Sequence, residues 1–177
     1  MAAVAVLAFG VPAQAATSSV PAGISISQIL ASGVRQSACM QNVTFTSQAN
    51  GRLVSAELGN GGELHAMLRA RATAIGEWEL YTVCIDGANS FLYSQANGAY
   101  VSAELGNGGG LNGMLRARAS ELGAWERFSL ESCGTGCVAI RSSANGLYVS
   151  AELGNGGGLH GMLRARASTV GAWERFQ

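Results

Sequence analysis

Residues 144–176 read ANGLYVSAELGNGGGLHGMLRARASTVGAWERF, and two earlier stretches, 49–81 and 96–128, say nearly the same thing. The second and third copies agree at 29 of 33 positions, and the first agrees with the third at 23. Copies spaced about 47 residues apart describe one small structural unit used three times. Each is too small to bury its apolar face alone and therefore packs on its siblings.

Every copy breaks into four short β-type runs separated by turn residues. In the second copy these are Phe91 to Gln95, Tyr100 to Glu104, Met114 to Ala119 and Trp125 to Leu130. Asn97-Gly98 joins the first two as a hairpin, because both residue types tolerate the positive φ of such turns. Gly106-Asn107-Gly108-Gly109-Gly110 forms a wide loop between the second and third runs. It lacks the Lys and Ser/Thr of a phosphate-binding loop, and no helical pattern follows it. Strict alternation places Val101 and Ala103 inward with Tyr100, Ser102 and Glu104 outward. By the same rule Leu115, Ala117 and Ala119 face in, and Arg116 and Arg118 face out beside Glu104, within reach of a cross-strand charge pair. Trp125 is expected to plug one end of the core, since large aromatics are usually well buried.

Three units of four strands predict an all-β fold, a β-trefoil: a six-stranded barrel capped by three hairpins. Three propeller blades are too few to close a ring. The trefoil is expected over 39–177, with repeats at about 39–83, 84–130 and 131–177. Residues 16–38 form an extension containing the apolar stretch Ile24 to Leu30, to which the sequence gives no role.

The 177 residues carry no net formal charge and only 12% charged side chains, which provides no field to attract nucleic acid. Residues 1–15 are small and apolar and end in Ala13-Gln14-Ala15, the pattern of a cleavable export signal, although the positively charged start is missing. The stretch is too short to span a bilayer, so export without membrane insertion is the expectation. In an oxidising compartment Cys39, Cys84, Cys133 and Cys137 are expected as two disulfides, for which three pairings exist. The glycine-rich segment Cys133 to Cys137 is able to close on itself, which would leave Cys39 for Cys84. Zinc is the rival reading, disfavoured by loose spacing and the lack of a second matching pair.

The phrases Ala144-Asn145-Gly146-Leu147-Tyr148-Val149-Ser150-Ala151-Glu152, Leu163-Arg164-Ala165-Arg166-Ala167 and Ala172-Trp173-Glu174-Arg175-Phe176 resemble the repeat of the fascin-like β-trefoils. The resemblance runs through all three copies and is narrowest for secreted bacterial members, found alone or joined to polysaccharide-degrading enzymes. It implies a carbohydrate-binding role, with polysaccharide or cell-surface glycan as partner and a secreted enzyme as a companion. The actin-bundling role of the animal members rests on four trefoils and lysine-rich patches. This chain has one trefoil and no lysine, so that role does not transfer.

Catalysis is not expected. Glycoside hydrolysis needs two carboxyl groups in different environments, whereas Glu57, Glu104 and Glu152 are symmetry equivalents, as are Glu79, Glu126 and Glu174. The lone Asp86 and the equivalent histidines His65 and His160 suggest no nucleophilic triad. No metal or cofactor is implied. Three similar shallow pockets acting together on a repetitive polymer suit the symmetry better. A sugar offers an apolar face to an aromatic ring and hydroxyls to polar groups. The candidate contacts are Glu152, Asn155, His160, Arg164 and Tyr148 in the third copy, and Glu104, Asn107, Asn112, Arg116 and Tyr100 in the second. Glu57, Asn60, His65 and Arg69 are their counterparts in the first, which has Leu53 in place of tyrosine and is expected to bind differently or not at all. The competing reading makes the same residues a scaffold: Glu and Arg as surface ion pairs, Asn and Gly as loop formers. A second functional class is a protein-interaction module, such as a protease inhibitor or adhesion unit, acting through the unique segment 131–137.

Overall fold

A computed structural model describes residues 22–33 and 38–177. The export signal and its cleavage point lie outside the described residues. The repeated pattern folds as a β-trefoil. After β1 (Ile24–Ser25) and the short helix α1 (Ile26–Ala31), the chain runs through β2 (Ala38–Thr44), β3 (Thr46–Ser47), β4 (Arg52–Glu57), β5 (Met67–Ala72) and β6 (Tyr81–Ile85). The second unit is β7 (Phe91–Ser94), β8 (Ala99–Glu104), β9 (Met114–Ala119) and β10 (Phe128–Gly134). The third is β11 (Cys137–Ser142), β12 (Tyr148–Glu152), β13 (Met162–Ala167) and a terminal stave at Phe176, which bridges both Val138 and Ser47.

These pairings close a barrel. β2 pairs with β6, β6 with β7, β7 meets β10 through Ser90 and Phe128, β10 pairs with β11, and Phe176 links β11 back to β3. Closure removes the exposed sheet edges that open sheets must protect. The hairpins β4/β5, β8/β9 and β12/β13 form the cap and touch one another in a cycle, with Met67 opposite Arg116, Met114 opposite Arg164 and Met162 opposite Arg69. The turn that leads into each of these hairpins is fastened by its asparagine: the side-chain amides of Asn50, Asn97 and Asn145 donate to the carbonyls of Ala70, Ala117 and Ala165 at 2.8–2.9 Å.

The core repeats with the sequence. Val54, Val101 and Val149, then Leu68, Leu115 and Leu163, then Tyr81, Phe128 and Phe176 are buried equivalents in one cluster. Met67, Met114 and Met162 form a separate buried triad on the axis, ringed by Leu64, Leu111 and Leu159. The tryptophans belong to neither cluster, which corrects the expectation that Trp125 is a plug. Part of the apolar filling comes instead from the N-terminal extension. β1 pairs in parallel with β2, a capping box between Ser25 and Gln28 starts α1, and Ile26 and Ile29 enter the main core. Full burial of such a side chain is worth about 1.5–3 kcal/mol.

Both disulfides form, Cys39–Cys84 and Cys133–Cys137. The first staples the opening and closing staves of the first unit, where the two cysteines face each other across the β2–β6 ladder. The second closes the turn between the second and third units. Among the described residues no helix is long and apolar enough to cross a membrane. The two disulfides fit an extracellular protein.

Candidate functional site

The expected cluster of Glu, Asn, His/Asn and Arg does assemble, and its internal bonding consumes it. Glu104 is only 2% exposed, contrary to the outward placement expected from alternation. The reason is that β8 is covered on both faces. Val101 and Ala103 meet the core, while the Ala124-Trp125-Glu126 turn folds back over the other side and the Trp125 carbonyl accepts from the Ala103 N–H at 2.8 Å. Glu57 and Glu152 are buried in the same way.

Each buried glutamate is held by arginines from its own hairpin. Arg118 Nε donates to Glu104 Oε1, Arg116 Nη1 lies 3.4 Å from Glu104 Oε2, and the Asn107 amide donates to that same oxygen at 3.0 Å. In the third unit Arg166 Nε stands 2.7 Å from Glu152 Oε1 and Arg164 Nη1 4.0 Å from Oε2. In the first, Arg71 Nε meets Glu57 Oε1 at 2.5 Å. The hydrogen bonds that Arg71 and Arg118 donate to Glu57 and Glu104 hold those guanidiniums further from deprotonation, while desolvation pulls Arg69 the other way.

The remaining candidates fasten loops. His65 and His160 place Nδ1 3.1 Å from the carbonyls of Asn60 and Asn155, and Asn112 replaces them with an amide donating to Leu105 and Asn107 carbonyls at 2.6 and 3.0 Å. Arg69, Arg116 and Arg164 each spend Nε on a carbonyl of a neighbouring unit, at His160, His65 and Asn112 respectively. Tyr100 packs edge-on against Phe91 and Tyr93. Tyr148 donates to Glu131 at 2.8 Å and lies under Arg141; its pKa is raised, chiefly by the hydrogen bond to Glu131.

What these networks leave open lies beside them. Trp78 and Trp125 are 36% and 40% exposed, and Trp173 is partly exposed. In each Trp-Glu pair the hydropathy order is inverted: Glu79, Glu126 and Glu174 turn inward and accept the N–H of Gly76, Gly123 and Gly171 at 2.7–2.8 Å. The indole is thereby thrown across the turn that ends β8. A Cβ on Gly106 would stand 3.1 Å from Trp125 Cη2, so that ring approaches bare backbone.

Between this indole and the β9 strand lies a cleft of about 320 Å³ lined by Ser102, Glu104, Arg118, Ser120, Glu121, Trp125 and Glu126. The third unit builds the equivalent cleft from Ser150, Arg164, Arg166, Thr169, Trp173 and Glu174. One aromatic wall, a guanidinium, carboxylates and hydroxyls are therefore presented twice around the axis. Of the expected contacts, Glu104 and Arg164 line these clefts, and His160 lines a separate shallow depression with Asn50, Arg52 and Arg71. Sequence reasoning missed Trp125, Trp173, Arg118 and Arg166. The signal available was Gly-x-Trp-Glu, recurring at 76–79, 123–126 and 171–174, in which a glutamate three residues after glycine is placed to cap the turn and take the buried side.

No protein-family sequence model matches the chain, and no curated protein matches it. Solved structures do. A designed threefold-symmetric protein, ThreeFoil, superposes with a TM-score of 0.63 over 76% of this chain and 94% of its own, at 12% identity. A ricin B-like lectin from Macrolepiota procera, solved in complex with lactose, gives 0.57 over 81% of this chain and 95% of its own, at 13% identity. The exo-β-1,3-galactanase 1,3Gal43A from Clostridium thermocellum gives 0.61 over 76% of this chain, at 13% identity, and the match spans 29% of that enzyme. At such identities the likeness defines the class: a β-trefoil.

Proposed function

We propose that the protein is a secreted, non-catalytic glycan-binding module of the fascin-like kind, and that its binding faces are the tryptophan clefts. The observation that carries this reading is the half-exposed Trp125 standing over Arg118, Glu104 and Ser102, with the Trp173 cleft as a second copy. An indole face takes the apolar side of a pyranose, and the flanking guanidinium, carboxylate and hydroxyl groups take its ring of hydroxyls. Two or three shallow sites on one rigid body gain avidity on a repeating polymer that no single site has. Neighbours of the same fold include a lectin with lactose and an exo-β-1,3-galactanase. That company supports a sugar ligand for this chain.

The clefts support binding better than hydrolysis. Glu104 is committed to two arginines and an asparagine, and Glu126 to a backbone N–H. Glu121, the exposed carboxyl group of the second cleft, has no counterpart in the third, where Thr169 stands, so the repeated cleft does not repeat the acid and base pair that hydrolysis needs.

The test is a glycan array followed by polysaccharide pull-down with the wild-type chain, Trp125→Ala, Trp173→Ala and the double variant. Retention should fall about tenfold for each single variant, in line with aromatic contacts worth about 0.5–1.5 kcal/mol beyond burial, and be lost in the double. Unchanged retention in the double variant refutes the clefts as the site. Silence on every glycan, with a protein partner captured through 131–137, would replace this reading with the interaction-module one.

A further inference from the structure

The two clefts are not chemically identical, and the difference predicts what the second unit selects. Two residues past the shared Arg-Ala pair the second unit carries Glu121 where the third has Thr169 and the first has Ala74. Glu121 lines the cleft beside Glu104, Glu126 and Arg118. Counting the equivalent charged groups, the second unit sets Glu104, Glu121 and Glu126 against Arg116 and Arg118, an excess of one carboxylate. The third sets Glu152 and Glu174 against Arg164 and Arg166 and balances.

A second difference is independent of charge. In the third unit the Ser150 hydroxyl is spent on Glu174 Oε1. In the second, Ser102 is 4% exposed and lines the cleft, and the counterpart bond from its hydroxyl to Glu126 is not made. Glu126 correspondingly holds the Gly123 N–H through Oε2 but receives no serine hydroxyl. The second cleft thus offers the Glu121 carboxylate, an oxygen of Glu126 and a serine hydroxyl not bonded to that glutamate, beside one indole face. A protonated primary amine brings three N–H donors that need acceptors, and a positive charge that favours an aromatic face.

Resting on the glycan-binding reading, we infer that the second-unit cleft selects a saccharide bearing a protonated primary amine, the chemistry of an N-deacetylated hexosamine, while the third-unit cleft takes neutral sugar. Glu121 sets that selectivity, Ser102 and Glu126 receive the amine, and Trp125 carries the ring.

The experiment compares soluble chitin oligomers, fully acetylated and deacetylated, by titration calorimetry at about pH 6, acidic enough to protonate most of the sugar amines while carboxylates stay ionised. The proteins are the full chain with Trp173→Ala, which isolates the second cleft, and the same chain with Glu121→Thr added. The first should prefer the deacetylated oligomer by about fivefold, the scale of one exposed charge contact, and the preference should shrink in high salt. The added Glu121→Thr should abolish it. In the reciprocal chain, Trp125→Ala with Thr169→Glu should create a preference that Trp125→Ala alone lacks, a gain that no loss of folding imitates. Equal binding of the two oligomers to the isolated second cleft overturns the amine selectivity and leaves glycan binding standing. Binding of neither oligomer, nor of any arrayed glycan, by the wild type overturns both.

Discussion

Arg116 crosses from the second unit to the first and donates from Nε to the backbone carbonyl of His65 at 2.8 Å. Its Nη2 reaches the Gly62 carbonyl at 3.3 Å, and Nη1 turns back to Glu104 at 3.4 Å. Arg164 makes the same crossing from the third unit to the second, and Arg69 from the first to the third. The ring of three cap hairpins is therefore tied by three guanidiniums that each lock a neighbour's loop. A buried charge is tolerated there because planar guanidinium donors match carbonyl and carboxylate acceptors at once.

Removing that tie should cost more than any exposed charge on the molecule. Arg116→Ala takes the guanidinium from two carbonyls and from Glu104, which keeps Arg118 and Asn107, so a loss of about 2–3 kcal/mol is expected, read as a lower midpoint in urea unfolding. His65→Asn should change stability by no more than about 0.5 kcal/mol, because Arg116 uses only the backbone of that residue and Asn112 already serves in the second unit. A severe loss from His65→Asn with a mild one from Arg116→Ala would place the lock in the imidazole instead.

The trefoil was legible because the sequence is written in triplicate and because Asn-Gly turns report hairpins locally. Which side chains face water was not legible from alternation, since that rule assumes one wet face. β8 and β12 have none: a turn from later in the chain covers the second side of each, and a contact of that range leaves no mark on the strand's own pattern. The Trp-Glu inversion was hidden for a related reason. Hydropathy places tryptophan inside and glutamate outside, but a glycine turn with an unsatisfied N–H reverses the order when the carboxylate caps it. The apolar run Ile24 to Leu30 was visible as sequence, while its place in the core depends on pairing Ile24 with Val43, which no local feature announces.

The three units disagree at one strained position. Gly113 and Gly161 adopt φ of 79° and 76°, and their counterpart Ala66 holds φ 58° with a side chain in place. A Cβ on Gly113 would come within 2.8 Å of the Ala165 carbonyl oxygen, which is backbone and cannot swing aside. Left-handed geometry costs a non-glycine residue about 1–2 kcal/mol. Ala66→Gly should therefore raise the melting temperature by about 2–4 °C, and Gly113→Ala should lower it by at least as much. Calorimetry of the two variants decides the matter; a destabilising Ala66→Gly would mean that the buried methyl group outweighs the strain.

The two disulfides should differ in worth because they close loops of different length. Cys39 and Cys84 are 45 residues apart in sequence and Cys133 and Cys137 only 4. Loop-closure entropy assigns about 4 kcal/mol to the first and about 2 to the second. Cys39→Ala with Cys84→Ala should thus lower the urea midpoint about twice as far as Cys133→Ala with Cys137→Ala. Equal losses would show that native-state contacts around the short loop, not chain entropy, set its value.

Stability should fall on the alkaline side through Tyr81. This phenol is completely buried, and desolvation pushes its pKa well above the usual 10.0. The unfolded chain releases the proton near its ordinary value and the folded one holds it to higher pH. Above about pH 10 the native state therefore binds more protons than the unfolded state, and stability declines as pH rises. Below that pH the contribution is fully present. Phe128 and Phe176 occupy the equivalent places, so Tyr81→Phe fits the same space and gives up only a 3.4 Å hydrogen bond to the Val54 carbonyl, a loss of about 1 kcal/mol or less. Urea midpoints measured from about pH 8 to 11 should slope downward in the wild type and flatten in Tyr81→Phe, with a residual slope from Tyr148, whose hydrogen bond to Glu131 also favours its neutral form. Parallel slopes in the two proteins would assign the alkaline loss to other groups.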